Sequence, residues 1–234
     1  MRVRLLEHTP EPERTIAAAA RLCYSPADAS ELFETMTEDE VGRLLRVILG
    51  SGHHSALEHA SLTFAVEGIS RACSHQLVRH RLASYNQQSQ RYVRYDTVEF
   101  IRPPSIEETP GAADVFDELV GETNEAYRRL LELGVEAEDA RYVLAQAVET
   151  KIVVTMNVRE MLHFFTLRCC NRAQWEIRNL AWEMLDRARP VLPLVTEEAG
   201  PSCVRGPCPE GKMTCGKPYQ RVRRTKEGEG TVVG

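Results

Sequence analysis

What most restricts the folds open to this chain is the run Arg79–Tyr92, Arg-His-Arg-Leu-Ala-Ser-Tyr-Asn-Gln-Gln-Ser-Gln-Arg-Tyr. Three arginines, a histidine, two serines, an asparagine, three glutamines and two tyrosines stand among its fourteen residues. A buried polar group left without a partner costs about 1–3 kcal/mol, so the polar part of the run, Ser84–Gln90, belongs in an exposed loop, where binding groups are found. No acid occurs between Glu67 and Asp96, although the chain holds 34 acids against 29 lysines and arginines. Guanidinium forks bind phosphate bidentately, and serine and amide side chains complete an oxyanion's remaining bonds. The run therefore suits a site for phosphate and a polar heterocycle. A solvated basic helix face would explain the arginines, but not the Ser, Asn and Gln residues set between them.

Around this run, 234 residues suffice for one cored domain, expected over residues 1–200, with a Cys/Gly/Pro-rich extension and mobile tail over 201–234. A net charge of −5 disfavours nucleic acid or an anionic membrane as a bulk partner, so any anion site must be local. Seven cysteines, an odd number, with no signal peptide and no apolar run of transmembrane length, point to the cytoplasm. Cys203, Cys208 and Cys215 lack the paired spacing of a zinc ribbon, and a metal there would need a fourth ligand from elsewhere.

Periodicity supplies the elements. Met1–His8 reads as a strand, and a helix follows through Ala17–Ala20. Thr37-Glu38-Asp39-Glu40 is a capping box for a helix that Gly50 or Gly52 ends. Leu62, Phe64 and Val66 alternate with smaller or polar residues, so Ser61–Glu67 is a strand with one buried face. Ile69–Ser84 reads as a helix and Ser84–Gln90 as an exposed loop. Tyr92–Ile101 reads as a strand, and Ala113–Leu133 as a long amphipathic helix that Gly134 ends. A second helix is expected from Glu138 to Thr150, with Arg141 opposing the dipole of its first turn. Ile152–Met156 is a strand. Asn157 caps the next helix, whose core face takes Leu162, Phe165 and Leu167, and a last helix runs to about Ala188. On a helix Arg79 and Arg81 diverge, so they would serve two anions, or one anion and one ring, rather than one phosphate. His53, His54 and His59 near Glu58 lack the i, i+4 spacing of a helical zinc pair and suit a polar pocket wall better. No Gly-x-Gly-x-x-Gly run is present to hold a dinucleotide in a Rossmann site.

Arg79-His80-Arg81, then seven residues, then Ser89, matches the Arg-His-Arg-(seven residues)-Ser signature of the flavin-dependent thymidylate synthases. Ser84, Asn86, Arg91 and Tyr92 resemble that family too, as do Gly52-His53 with Ser55 and Glu58-His59. A second stretch, Asn157-Val158-Arg159 with Met161, His163, Phe164 and Leu167-Arg168, continues the likeness, and Ala173–Ile177 extends it. Two positions depart from the pattern: an amide is common where His163 stands, and an acid where Gln87 stands.

The resemblance implies an α+β fold with a mostly antiparallel central sheet and flanking helices, assembled as a homotetramer with shared active sites. It implies reductive methylation of dUMP to dTMP, with 5,10-methylenetetrahydrofolate giving the carbon, FAD bound and NADPH reducing it. No cysteine attacks the ring; the Pro-Cys-His context of cysteine-dependent thymidylate synthases is absent, since Pro207-Cys208 precedes Pro209. The implied dUMP residues are Gln76, Leu77, Val78, Arg79, Gln87, Gln88, Ser89, Gln90, Arg91, Arg141 and Arg168. The implied FAD residues are Ser55, Arg79, His80, Arg81, Gln87, Asn157, Val158, Arg159 and His163. Arg168 is the expected polarising cation at the pyrimidine, Ser89 a polarising or positioning group, and His53 a folate contact or proton shuttle; no metal is expected. Two rival readings remain: a single-strand or RNA-binding module, with Tyr85, Tyr92 and Tyr95 stacking bases between the arginines, and a flavoprotein acting on another nucleotide.

Overall fold

Alternating burial along two strands sets the frame. Leu62, Phe64 and Val66 are fully buried, and so are Ile152, Val154 and Met156 opposite them in the sheet order. Each such side chain withdrawn from water contributes roughly 1.5–3 kcal/mol. The computed structural model describes residues 1–219, 222–224 and 230–232. In chain order it contains β1 (Arg2–His8), α1 (Pro12–Leu22), α2 (Ala29–Thr35), α3 (Glu38–Ser51), β2 (Ser61–Ser70), α4 (Arg71–Leu77) and β3 (Ala83–Gln87). There follow α5 (Pro104–Glu108), α6 (Ala112–Glu132), α7 (Ala137–Ala140), β4 (Glu149–Asn157), α8 (Val158–Arg168) and α9 (Trp175–Ala188). Two short strands, β5 (Val222–Arg224) and β6 (Gly230–Val232), pair antiparallel within the stretch expected to be tail, whose other residues beyond Tyr219 lie outside the described ones.

The main sheet has four antiparallel strands in the order β1-β2-β4-β3, which with its helices makes the fold α+β. The register follows from side chains as well as backbone: Thr63 and Thr155 share a 2.9 Å hydroxyl hydrogen bond, and Gly68 N–H donates to Glu149 Oε1 at 2.9 Å. Gly68 lies at φ 70°, and a Cβ there would stand 3.1 Å from the Met1 nitrogen, so both conformation and space call for glycine. The chain divides into two compact units: Met1–Arg2, Ala65–Arg81 and Tyr85–Val154 in one, Val3–Phe64, Leu82–Ser84 and Thr155–Gly234 in the other.

In the first unit Val98, Tyr127, Ala140 and Val148 form a small core with Tyr95, Phe100 and Leu130 against it. Three expected elements are shortened or missing here for reasons of hydrogen bonding beyond their own periodicity. The expected helix over 69–84 is confined to α4, because Tyr85 Oη donates to Leu77 O at 2.9 Å and His80 O at 2.8 Å. Those carbonyls would otherwise accept from the next helical turn. The chain then enters β3 where a loop was expected. Tyr92–Ile101 is not a strand: Asn124 Oδ1 accepts Val98 N–H at 2.8 Å and its Nδ2 donates to Val98 O at 3.2 Å, filling the place of a neighbouring strand. The helix expected over 138–150 stops at Ala140 and a 3₁₀ turn over Arg141–Val143. Beyond it Gln146 O, Ala147 O and Val148 O accept from Ala72, Ile101 and Arg71, so these carbonyls are bonded outward rather than to a following helical turn.

In the second unit the capping box is present, with Thr37 Oγ1 accepting Glu40 N–H at 3.3 Å and Glu40 returning to Thr37 N–H at 2.9 Å. Gly52, at φ 77°, ends α3, while Gly50 stays inside it. Asn157 Oδ1 accepts Glu160 N–H at 2.9 Å and so sets the phase of α8. That phase buries Val158, Met161, Phe164 and Phe165, whereas Leu167, expected in the core, is 47% exposed and Leu162 only half-buried. Gln174 caps α9, which packs on α8.

Candidate active site

Each unit gathers its own share of the expected residues. In the first, the turn that Tyr85 pins carries Arg79 and Arg81, both exposed, and neither makes a hydrogen bond or ion pair among the described residues. They follow the end of α4, so the expectation of two arginines diverging on a helix does not apply. His80 between them is 5% exposed. Leu77 is fully buried with its carbonyl taken by Tyr85, so it enters as scaffold rather than as a side-chain ligand. Val78 caps α4, and Gln76, half-buried, reaches Ala72 O at 3.5 Å.

β3 then delivers the amides. Gln87 Nε2 donates to Ser74 Oγ at 2.9 Å and Thr150 Oγ1 at 3.1 Å, leaving its carbonyl oxygen as an acceptor. Gln88 N–H donates to Lys151 O at 2.9 Å, and its Oε1 faces Tyr95 Oη at 3.4 Å. Burial pushes the Tyr95 hydroxyl above its ordinary range, so it remains a neutral donor. Ser89 Oγ accepts Arg91 N–H at 3.2 Å, and no base lies in hydrogen-bond reach of it among the described residues. Gln90 is 8% exposed, and its Nε2 is buried without a partner among the described residues.

Tertiary structure alters the charge balance of this run. Although its sequence window is free of acids, Glu138 pairs with Arg91 and Glu136 lies 3.5 Å from Arg94. Arg141 is the C-cap of α7, not a first-turn residue, so its charge favours the helix dipole; its Nε donates to Glu138 O at 2.8 Å. Sequence reading passed over Arg71. Its half-buried guanidinium has no hydrogen-bond partner among the described residues. Burial pulls it below its ordinary value, Tyr95 acts the other way, and the charge of Arg141 adds to the lowering. Its only sequence signal is that it falls in the same acid-free window.

In the second unit His53, exposed, precedes the 3₁₀ turn His54–His59, and Ser55 is exposed within it. Asn157 spends its carbonyl on the cap of α8, which leaves its amide nitrogen as a donor. Val158 is fully buried and its N–H donates to Ala60 O at 2.9 Å, so its side chain packs in the core and supports α8. Arg159 and His163 share the exposed face of α8, and Arg159 pairs with Glu58. Arg168 ends α8 in the wall of a cavity of about 300 Å3. Beside it Cys169 is buried, and burial pushes its thiol up to about 12. Among the described residues no group of three His, Cys, Asp or Glu side chains is placed to hold a metal ion, and no helix is long and apolar enough to cross a membrane.

The profile of the family described as "Thymidylate synthase complementing protein" matches residues 4–194. A protein of Geobacter sulfurreducens named flavin-dependent thymidylate synthase is 54% identical over 97% of this chain and 99% of its own. The chain belongs to the flavin-dependent thymidylate synthases. A second synthase of that name, from Clostridium tetani, is 47% identical over 93% of this chain and 94% of its own. The fold matches that of the UMP/dUMP methylase PolB from Streptomyces cacaoi, solved with 5-Br dUMP. There the TM-score is 0.72 at 24% identity, over 84% of this chain and 93% of that one. As a synthase of this family, the chain carries the Arg79–Arg81 turn and Ser89 within the matched span, as well as Arg168.

Proposed function

We propose that the enzyme converts dUMP to dTMP by reductive methylation, taking the carbon from 5,10-methylenetetrahydrofolate and electrons from NADPH through bound FAD, with no cysteine adduct. The observation that carries this reading is the turn of Arg79 and Arg81, two exposed guanidinium groups without a counter-ion among the described residues, held by Tyr85. Cations left unpaired next to an amide-rich strand suit phosphate groups, which they bind bidentately. In this reading dUMP is held through Gln76, Arg79, Gln87 to Arg91 and Arg141. Arg91 keeps Glu138 as its partner until a phosphate competes for it.

The donor set also fits a flavin dinucleotide. Arg79 and Arg81 suit its diphosphate, and Ser55, the free amide nitrogen of Asn157, Arg159 and His163 offer polar contacts on the second unit. When bound, FAD supplies the electron pair that the methyl group requires. Arg168 places a fixed cation at N3 and O4 of the pyrimidine, where negative charge develops as C5 becomes nucleophilic. Removing one pre-organised donor of this kind costs roughly 10²–10³-fold in kcat. Ser89 orients the substrate through its hydroxyl. His53 contacts the folate or moves a proton. Cys169, next to Arg168, gives no useful thiolate near neutral pH with its thiol pushed up to about 12, which supports chemistry without a cysteine nucleophile. We also propose a homotetramer in which copies of the chain complete one another's nucleotide and flavin sites.

The test is tritium release from C5-labelled dUMP by purified, yellow holoenzyme. Release should require both the folate and NADPH. Arg168→Ala should lower it by roughly 10²–10³-fold while the protein keeps its flavin. A colourless protein, a trapped cysteine–nucleotide bond, or full turnover by Arg168→Ala overturns the reading.

A further inference from the structure

The Cys/Gly/Pro-rich segment is built into the second unit. Arg172 of the α8–α9 connection pairs with Glu210, and Asn171 Nδ2 donates to Lys217 O at 3.0 Å. Arg205 Nη2 donates to Thr166 Oγ1 at 3.1 Å, and the ring of Tyr219 stacks on Trp182 with centroids 5.0 Å apart. Two thiols serve as acceptors in this scaffold. Cys203 Sγ takes Tyr219 N–H at 3.3 Å, and Cys215 Sγ takes Lys217 N–H at 3.4 Å, which fixes the backbone of Lys217 and Tyr219. Together these residues close the cavity of about 300 Å3 whose other wall is the Arg168 end of α8.

Three features of that cavity select a ligand. Apart from Arg168, whose charge the proposed reaction uses, its lining holds two cations, Arg172 and Lys217, and one carboxylate, Glu210, which is paired with Arg172. Lys217 has no ion-pair partner among the described residues. Tyr219, braced by Trp182 and still 42% exposed, presents an aromatic surface. Small-molecule sites span roughly 300–1,000 Å3, so this one accommodates one end of a larger molecule.

We propose that residues 201–219 form a co-substrate pocket taking a planar ring that bears an anionic group. Both remaining co-substrates of the reaction proposed above present an anionic group next to a planar ring at one end, the folate in its aminobenzoyl-glutamate and NADPH in its phosphate-bearing adenosine. The inference rests on that functional reading and gives the cysteine-rich segment a role in it: the thiols of Cys203 and Cys215 position Lys217 and Tyr219 without reacting themselves.

The test uses FAD-loaded enzyme carrying Lys217→Glu, Lys217→Met or Tyr219→Ala, with tetrahydrofolate and NADPH titrated separately by calorimetry. One of the two should bind roughly tenfold or more weakly to Lys217→Glu, and Lys217→Met should show a smaller loss in the same ligand. Which ligand responds identifies the occupant. The dUMP affinity and the flavin content should match the unaltered enzyme. Unchanged affinity for both co-substrates in an enzyme that still forms dTMP overturns the pocket alone. Weakening of dUMP alone reassigns the cavity to the pyrimidine and also overturns it. Failure of the unaltered enzyme to form dTMP overturns the functional reading on which it rests.

Discussion

Ser89 and Arg168 show how far residue type can be trusted. The family resemblance implies a part in the reaction for both, Ser89 through the signature and Arg168 through the second matching stretch, but their surroundings differ. Ser89 Oγ accepts one backbone N–H and has no base within reach among the described residues, so nothing there would remove its proton. Ser89→Ala should therefore lower kcat by less than about tenfold, far short of the 10²–10³-fold loss expected for Arg168→Ala. Stopped-flow and steady-state rates on the two variants decide it; equal losses would show that Ser89 takes part in the chemistry rather than only orienting the substrate. Arg91 teaches the converse lesson. Its sequence window is free of acids, yet Glu138 reaches it from α7, some forty-seven positions along the chain.

At the scale of elements, the turn that presents Arg79 and Arg81 depends on one hydroxyl. Tyr85 Oη bonds two carbonyls, each such bond contributing about 1 kcal/mol. Tyr85→Phe should lower the unfolding free energy by about 1–2 kcal/mol and weaken dUMP binding, as urea melts and calorimetry would register. Loss of neither would show that the turn holds without it. Elements fixed by local chemistry were legible from sequence: the Thr37 capping box, the Asn157 cap, the alternation of β2 and the long α6. Two of those that failed were decided by distant partners. Asn124 replaced a strand neighbour for Val98, and outward bonding of Gln146 to Val148 removed the end of an expected helix. Neither partner lies within the window that periodicity reads.

For the whole molecule, stability should carry a pH dependence set by Glu13. Its carboxylate accepts Leu194 N–H at 2.7 Å and Val195 N–H at 2.9 Å, tying α1 to the segment after α9. Burial raises its pKa above the ordinary carboxylate range; the two N–H bonds oppose that, and Glu38 adds to it. A raised native value means that folding favours the protonated form. Its contribution to stability is fully present below the unfolded value of about 4.3 and is lost as pH rises through the native one. Glu13→Gln keeps an acceptor without the charge, so its stability relative to the parent should climb with pH across that window and then level off. Urea melts from pH 4 to 8 check this, and a difference constant with pH would remove Glu13 as the cause. The sequence by itself determined the family and the elements whose signals are local, because residue type, spacing and caps act within a few residues. Only the tertiary structure decided which arginines keep a free charge, where helices stop, and that Cys203 and Cys215 brace a cavity wall. Each of those outcomes depends on hydrogen bonds and ion pairs between groups that the chain order holds far apart.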